Sequence, residues 1–80
     1  FNPITTLRYD LPEDNFVILT VYDMLGRVVV QLVNTTQEAG FKLVQWDGSD
    51  SMGRSVSAGV YLYQIRAGEF VQTRKMVLLK

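Results

Sequence analysis

Val60-Tyr61-Leu62-Tyr63-Gln64-Ile65-Arg66-Ala67-Gly68-Glu69-Phe70-Val71-Gln72-Thr73-Arg74-Lys75-Met76-Val77-Leu78-Leu79 is the stretch that decides the fold. Two runs rich in β-branched and aromatic residues flank Gly68-Glu69. Such residues pack well on a pleated surface, and glycine at the first central position suits a two-residue type II′ hairpin. Counting outward from that turn pairs Ala67 with Phe70, Ile65 with Gln72, Tyr63 with Arg74 and Tyr61 with Met76. The other face pairs Arg66 with Val71, Gln64 with Thr73, Leu62 with Lys75 and Val60 with Val77. A sheet in a sandwich needs one buried face, yet both faces are apolar near the end of this hairpin. With Tyr61, Ile65, Met76 and Leu78 in the core, Val60, Leu62, Val77 and Leu79 form an outer surplus. A bulge reverses the two faces, so which face of the final strand is exposed stays open at this point.

Upstream, apolar stretches alternate with turn signals every eight to twelve residues or so, the spacing of an all-β antiparallel sandwich of about seven strands. Strands are expected at Thr5 to Leu11, Phe16 to Asp23, Val28 to Asn34 and Phe41 to Trp46. A short edge segment is expected around Val56, ahead of Val60 to Ala67 and Phe70 to Leu79. Pro12 has no N–H for a ladder and ends the first strand. Val17, Leu19 and Val21 share one face of the second. The third is apolar at Val28, Val29, Val30, Leu32 and Val33, so its inward face stays open. Thr35 to Gly40 reads as a polar loop.

Composition bounds the chemistry. The chain has 80 residues, no cysteine and no histidine, which removes disulfides, thiolate metal sites and the commonest general base. Eight basic and eight acidic residues cancel, which gives no electrostatic footprint for nucleic acid. No apolar run is long enough to span a membrane as a helix. Residues 66 to 80 nevertheless carry Arg66, Arg74, Lys75 and Lys80 against Glu69 alone, a net of +3.

No catalytic group is expected, and no cofactor. Asp47, Ser49 and Asp50 supply hard oxygens close together, making Asp47 and Asp50 weak metal candidates, with Asp23 able to join them. The spacing is not that of a calcium loop, and ordinary turn chemistry accounts for the stretch better. The same two carboxylates would need a cleft to act on a glycoside, and a small sandwich offers none. Trp46, Tyr61, Tyr63 and Tyr22 could stack on sugar rings or bases, but packing in the core is the favoured reading.

Several motifs resemble a known family. Phe1-Asn2-Pro3-Ile4-Thr5-Thr6-Leu7-Arg8-Tyr9-Asp10-Leu11-Pro12 is similar to the opening of type IX secretion C-terminal sorting domains of the type A subclass. The likeness continues through Val21-Tyr22-Asp23-Met24-Leu25-Gly26-Arg27, Trp46-Asp47-Gly48, Gly53-Arg54 and Ser57-Ala58-Gly59-Val60-Tyr61-Leu62-Tyr63. It ends in Arg74-Lys75-Met76-Val77-Leu78-Leu79-Lys80. The same pattern also resembles the immunoglobulin-like domain of the flagellar hook-capping protein, and both relatives imply an immunoglobulin-like sandwich.

The sorting-domain resemblance implies one domain over residues 1–80, at the C-terminus of a larger secreted protein. Its function would be a non-catalytic signal directing the parent across the outer membrane, from periplasm to cell surface or medium. Recognition would fall to Arg74, Lys75, Met76, Val77, Leu78, Leu79 and Lys80, supported by Gly59 and Tyr61. The partners would be the secretion machinery, a sortase-like surface peptidase, the parent's N-terminal cargo domains and a second copy meeting the C-terminal hairpin. A carbohydrate- or surface-binding accessory module is the alternative. A structural assembly module, as in the hook-capping relative, is the third reading.

Overall fold

The computed structural model describes residues 4–79. Phe1, Asn2, Pro3 and Lys80, which the sequence reading includes in its flanking motifs, lie outside the described residues. Six strands follow one another: β1 (Thr5–Leu11), β2 (Asn15–Tyr22), β3 (Val28–Gln37), β4 (Gly40–Trp46), β5 (Gly59–Ala67) and β6 (Phe70–Leu78). They form two antiparallel sheets, one ordered β1-β4 and the other β3-β2-β5-β6.

The expected seventh strand is replaced by a single antiparallel bridge between Ser49 and Ser55, beside a hydrogen bond from Val56 N–H to the Gly48 carbonyl at 2.9 Å. A turn occupies Ser51 and Met52, and Arg54, Val56 and Ser57 have no regular structure, so the bridge does not extend into a ladder. β3 in turn runs further than its composition suggests. Thr35, Thr36 and Gln37 pair with Val17, Phe16 and Asn15, so the supposed polar loop is mostly strand. Threonine is a good strand former, and β3 is an edge whose polar side chains can face water.

The β5–β6 hairpin has the register obtained by counting, from Ala67 opposite Phe70 to Val60 opposite Val77. Gly68 lies at φ +61°, and no residue other than glycine has a positive φ among the described residues. Glu69 therefore stays on the negative side, which is the II′ pattern rather than I′.

The core follows from strand alternation. Leu7, Tyr9 and Leu11 of β1 meet Val17, Leu19 and Val21 of β2, with Tyr61, Tyr63, Ile65 and Ala67 of β5 and Met76 and Leu78 of β6. Two register shifts between β2 and β3 resolve the ambiguous third strand. Val30 and Val33 oppose the core residues Val21 and Leu19, while Val29 and Leu32 are the unpaired extra residues at the bulges. Val29, Val30 and Leu32 all pack partly against the core.

Two side-chain hydrogen bonds tie the sheets together at their polar margins. The Tyr9 hydroxyl donates to Gln37 Oε1, and the Tyr63 hydroxyl donates to the Arg8 carbonyl at 3.1 Å. Each lets a core tyrosine bury its ring without stranding its O–H.

Candidate interaction surface

The acidic stretches are turns. Asp23 Oδ1 accepts from the N–H groups of Leu25 and Arg27, both at 2.9 Å, and Oδ2 takes Arg27 Nε at 2.8 Å. Asp50 does the same one repeat later: Oδ1 accepts from Met52 and Arg54 N–H at 2.9 Å, and Arg54 Nε lies 3.3 Å from Oδ2. The two segments share the spelling Asp-x-x-Gly-Arg, Asp23-Met24-Leu25-Gly26-Arg27 and Asp50-Ser51-Met52-Gly53-Arg54. Gly26 and Gly53 sit at φ +82° and +80°, which side-chain-bearing residues adopt only with strain. Ser51 N–H reaches the Val29 carbonyl at 3.1 Å, fastening the second turn to the strand that follows the first. The repeated spelling was readable in the sequence and is the signal that marks both turns.

Asp47 bonds Ser49 through both hydroxyl and N–H. No group of three or more acidic residues converges as a metal site among the described residues. A shallow hollow of about 390 Å³ near Trp46 is lined by Asp47 but not Asp50, so the two carboxylates do not flank a common cleft. What these aspartates offer is turn geometry.

That geometry has a pH signature. Asp23 is held below the usual carboxylate range first by Arg27 N–H, Asp50 by Arg54 N–H, and Asp47 by the Ser49 hydroxyl. A carboxyl depressed in the folded state stabilises it fully above the unfolded value of about 4. That contribution is lost as pH falls through the folded value. Thermal melts should therefore drop in Tm as pH falls from ~4 toward ~2. A Asp23→Asn, Asp50→Asn double variant should melt lower at neutral pH and show a shallower acid limb. An unchanged acid limb would remove these turns from the explanation.

Three of the four stacking candidates are interior. Trp46, Tyr61 and Tyr63 are 1, 7 and 6% exposed. Trp46 and Tyr61 meet edge to face, with centroids 5.2 Å apart. Indole N–H donates to the Ser49 carbonyl at 2.9 Å, and the Tyr61 hydroxyl donates to the Ser57 carbonyl at 2.6 Å. These three rings offer no sugar platform, and Tyr22 stands half-buried apart from them on the outer face of β2, which corrects the accessory carbohydrate module.

The terminal segment is divided by the pleat. Met76 and Leu78 are buried, whereas Arg74, Lys75, Val77 and Leu79 are exposed. Gly59, named as a support, pairs with Leu78, and Tyr61 pairs with Met76. A partner could touch Arg74, Lys75, Val77 and Leu79, but not Met76 or Leu78, without opening the core.

The outer face of the four-stranded sheet is the distinctive surface. Val28 on β3, Tyr22 on β2, Leu62 on β5 and Lys75 on β6 stand side by side in one row across the whole sheet. Val60 and Val77 form the adjoining pair, 38 and 53% exposed, and Val28 is 65% exposed. A polar row follows, Gln31, Thr20, Gln64 and Thr73, in which Gln64 Nε2 donates to Thr73 Oγ1 at 3.1 Å. Reading the sequence one strand at a time found Val60, Leu62 and Val77 but missed Tyr22 and Val28, whose place depends on strand order.

Fold and surface together define an immunoglobulin-like β-sandwich with an uncovered apolar sheet face. The sequence profile of the FlgD Ig-like domain matches residues 4–70, and the chain belongs to that family. It is similar to the crystal structure of FlgD from P. aeruginosa, with a TM-score of 0.77 and 26% identity over 95% of this chain. The chain spans 60% of that FlgD chain. Among curated proteins no sequence matches.

These findings correct the sorting-domain reading. The resemblance to the hook-capping relative holds, while nothing matched supports a type IX secretion signal, its machinery, a sortase-like peptidase or a partner set built on them. The matched family region also stops at residue 70, ahead of the basic-apolar terminus on which that reading leaned. The motifs it leaned on, Asp23 to Arg27, Trp46-Asp47-Gly48 and Gly59-Val60-Tyr61, build turns and core in this sandwich.

Proposed function

We propose that this domain is a non-catalytic assembly module of a FlgD-like protein, contributing protein–protein contacts to capping of the flagellar hook. On this reading it works outside the cell, at the growing hook, as one domain of a larger polypeptide. The family match over residues 4–70 carries the proposal. The chemistry of the surface supports it, since Asp23 and Asp50 are spent on turns and the outer sheet face exposes Val28, Val60 and Val77. Contiguous exposed apolar surface of this kind typically marks a protein contact.

The test is deletion of residues 4–79 from the full-length parent, followed by electron microscopy of purified basal bodies. Basal bodies that carry rods but no completed hooks are expected. Hooks of normal length and number would overturn the proposal.

A further inference from the structure

Charge and spacing on the outer sheet face specify what would cover it. All eight carboxylates lie on turns and loops or on Asp10 of β1, so the outer face of β3-β2-β5-β6 has none. That face does carry Lys75 and Arg66, and the two ion pairs found among the described residues engage Arg27 and Arg54 instead. Its cations form no ion pair among the described residues, and they lie beside the exposed Val28, Val60 and Val77 and the half-buried Tyr22 and Leu62.

The cross-sheet row has a defined pitch. Neighbouring strands lie about 4.8 Å apart, so Val28 to Leu62 covers roughly 10 Å and Val28 to Lys75 roughly 14 Å. An α-helix rises about 1.5 Å per residue, so its positions i, i+4 and i+7 span about the same 10 Å. The residue near i+10 or i+11 then falls over Lys75.

From this we infer that the outer face of the four-stranded sheet, centred on Val28, Tyr22, Leu62, Val60, Val77 and Lys75, docks an acidic amphipathic helix of an assembly partner. Apolar side chains at i, i+4 and i+7 cover Val28, Tyr22 and Leu62, and a carboxylate one turn further on meets Lys75. The inference deepens the assembly reading and rests on it. Apolar burial supplies affinity, and the charge at one side of the row sets helix direction.

The experiment titrates the 80-residue chain with a synthetic 16-residue helical peptide bearing Leu at i, i+4 and i+7 and Glu at i+11, and follows backbone amide shifts by NMR. A second peptide carries Lys at i+11. Shifts should centre on Tyr22, Val28, Leu62 and Lys75, and the Glu peptide should bind more tightly. Lys75→Glu should weaken the Glu peptide by about tenfold at low salt and favour the Lys peptide. Arg8→Glu makes the same charge change on the outer face of the other sheet and should alter neither. Equal affinity for both peptides, shifts centred on Phe41 and Leu43 of the other sheet, or no binding would overturn the inference. If domain deletion abolishes hooks while the peptides fail to bind, the docking face falls and the assembly reading stands. Harmless deletion removes the assembly reading whatever the peptides do.

Discussion

Trp46→Ala should cost about 3–5 kcal/mol of folding stability, the range for losing a large buried aromatic. A domain of 80 residues holds only about 4–12 kcal/mol in all, at 0.05–0.15 kcal/mol per residue. The variant should therefore be close to unfolded, with Tm lowered by roughly 12–40 °C. Trp46 does three things at the end of the sandwich. It fills core volume at the end of β4, meets Tyr61 edge to face, and satisfies the Ser49 carbonyl. Trp46→Phe keeps much of the first two and loses the third, so about 1–2 kcal/mol is expected. Calorimetry on the three proteins separates packing from hydrogen bonding. A Trp46→Ala variant that melts within a few degrees of the wild type would show that this end of the core is not closed as described.

Leu78→Ala should cost about 2–5 kcal/mol although it lies two residues from the end of the sequence. Leu78 is 1% exposed, and its side chain lies under Gly48 so closely that a Cβ there would sit 3.2 Å from Cδ2. Gly48 also has φ +77°, so its backbone favours glycine, and a Cβ there would press on Leu78 as well. Val77→Ala and Leu79→Ala, at exposed positions, should change stability by no more than about 0.5 kcal/mol. Urea denaturation of the three variants measures the alternation directly. Equal effects at 77, 78 and 79 would mean that the terminal segment does not lie in the sheet as a pleated strand.

How much of this was readable depends on sequence distance. The β5–β6 register came from counting because Gly68 fixes a two-residue turn, and every pairing then follows by arithmetic. The grouping of Val17, Leu19 and Val21 on one face of β2 was legible from simple alternation, and all three are buried. β3 was not, because five apolar residues in six erase the period of two and two bulges shift the register. Its polar end was read as loop, since composition cannot reveal that Thr35 and Thr36 have ladder partners.

The interaction surface was half visible. Val60, Leu62, Lys75 and Val77 emerged from the local hairpin, but Tyr22 and Val28 join them only through the β2–β5 pairing, some 40 residues apart in the chain. Function went astray for a related reason. The glycine turns and the tryptophan motif record what the sandwich needs in order to close, and residues that serve the fold do not specify a function.

The most direct test of the central claim is a surface substitution in the full-length parent. Leu62→Glu places a carboxylate in the middle of the cross-sheet row without touching the buried face of β5. The isolated chain should melt within a few degrees of the wild type, while cells carrying the variant parent should fail to complete hooks when viewed by electron microscopy. A folded Leu62→Glu protein that supports hooks of normal length would contradict the account.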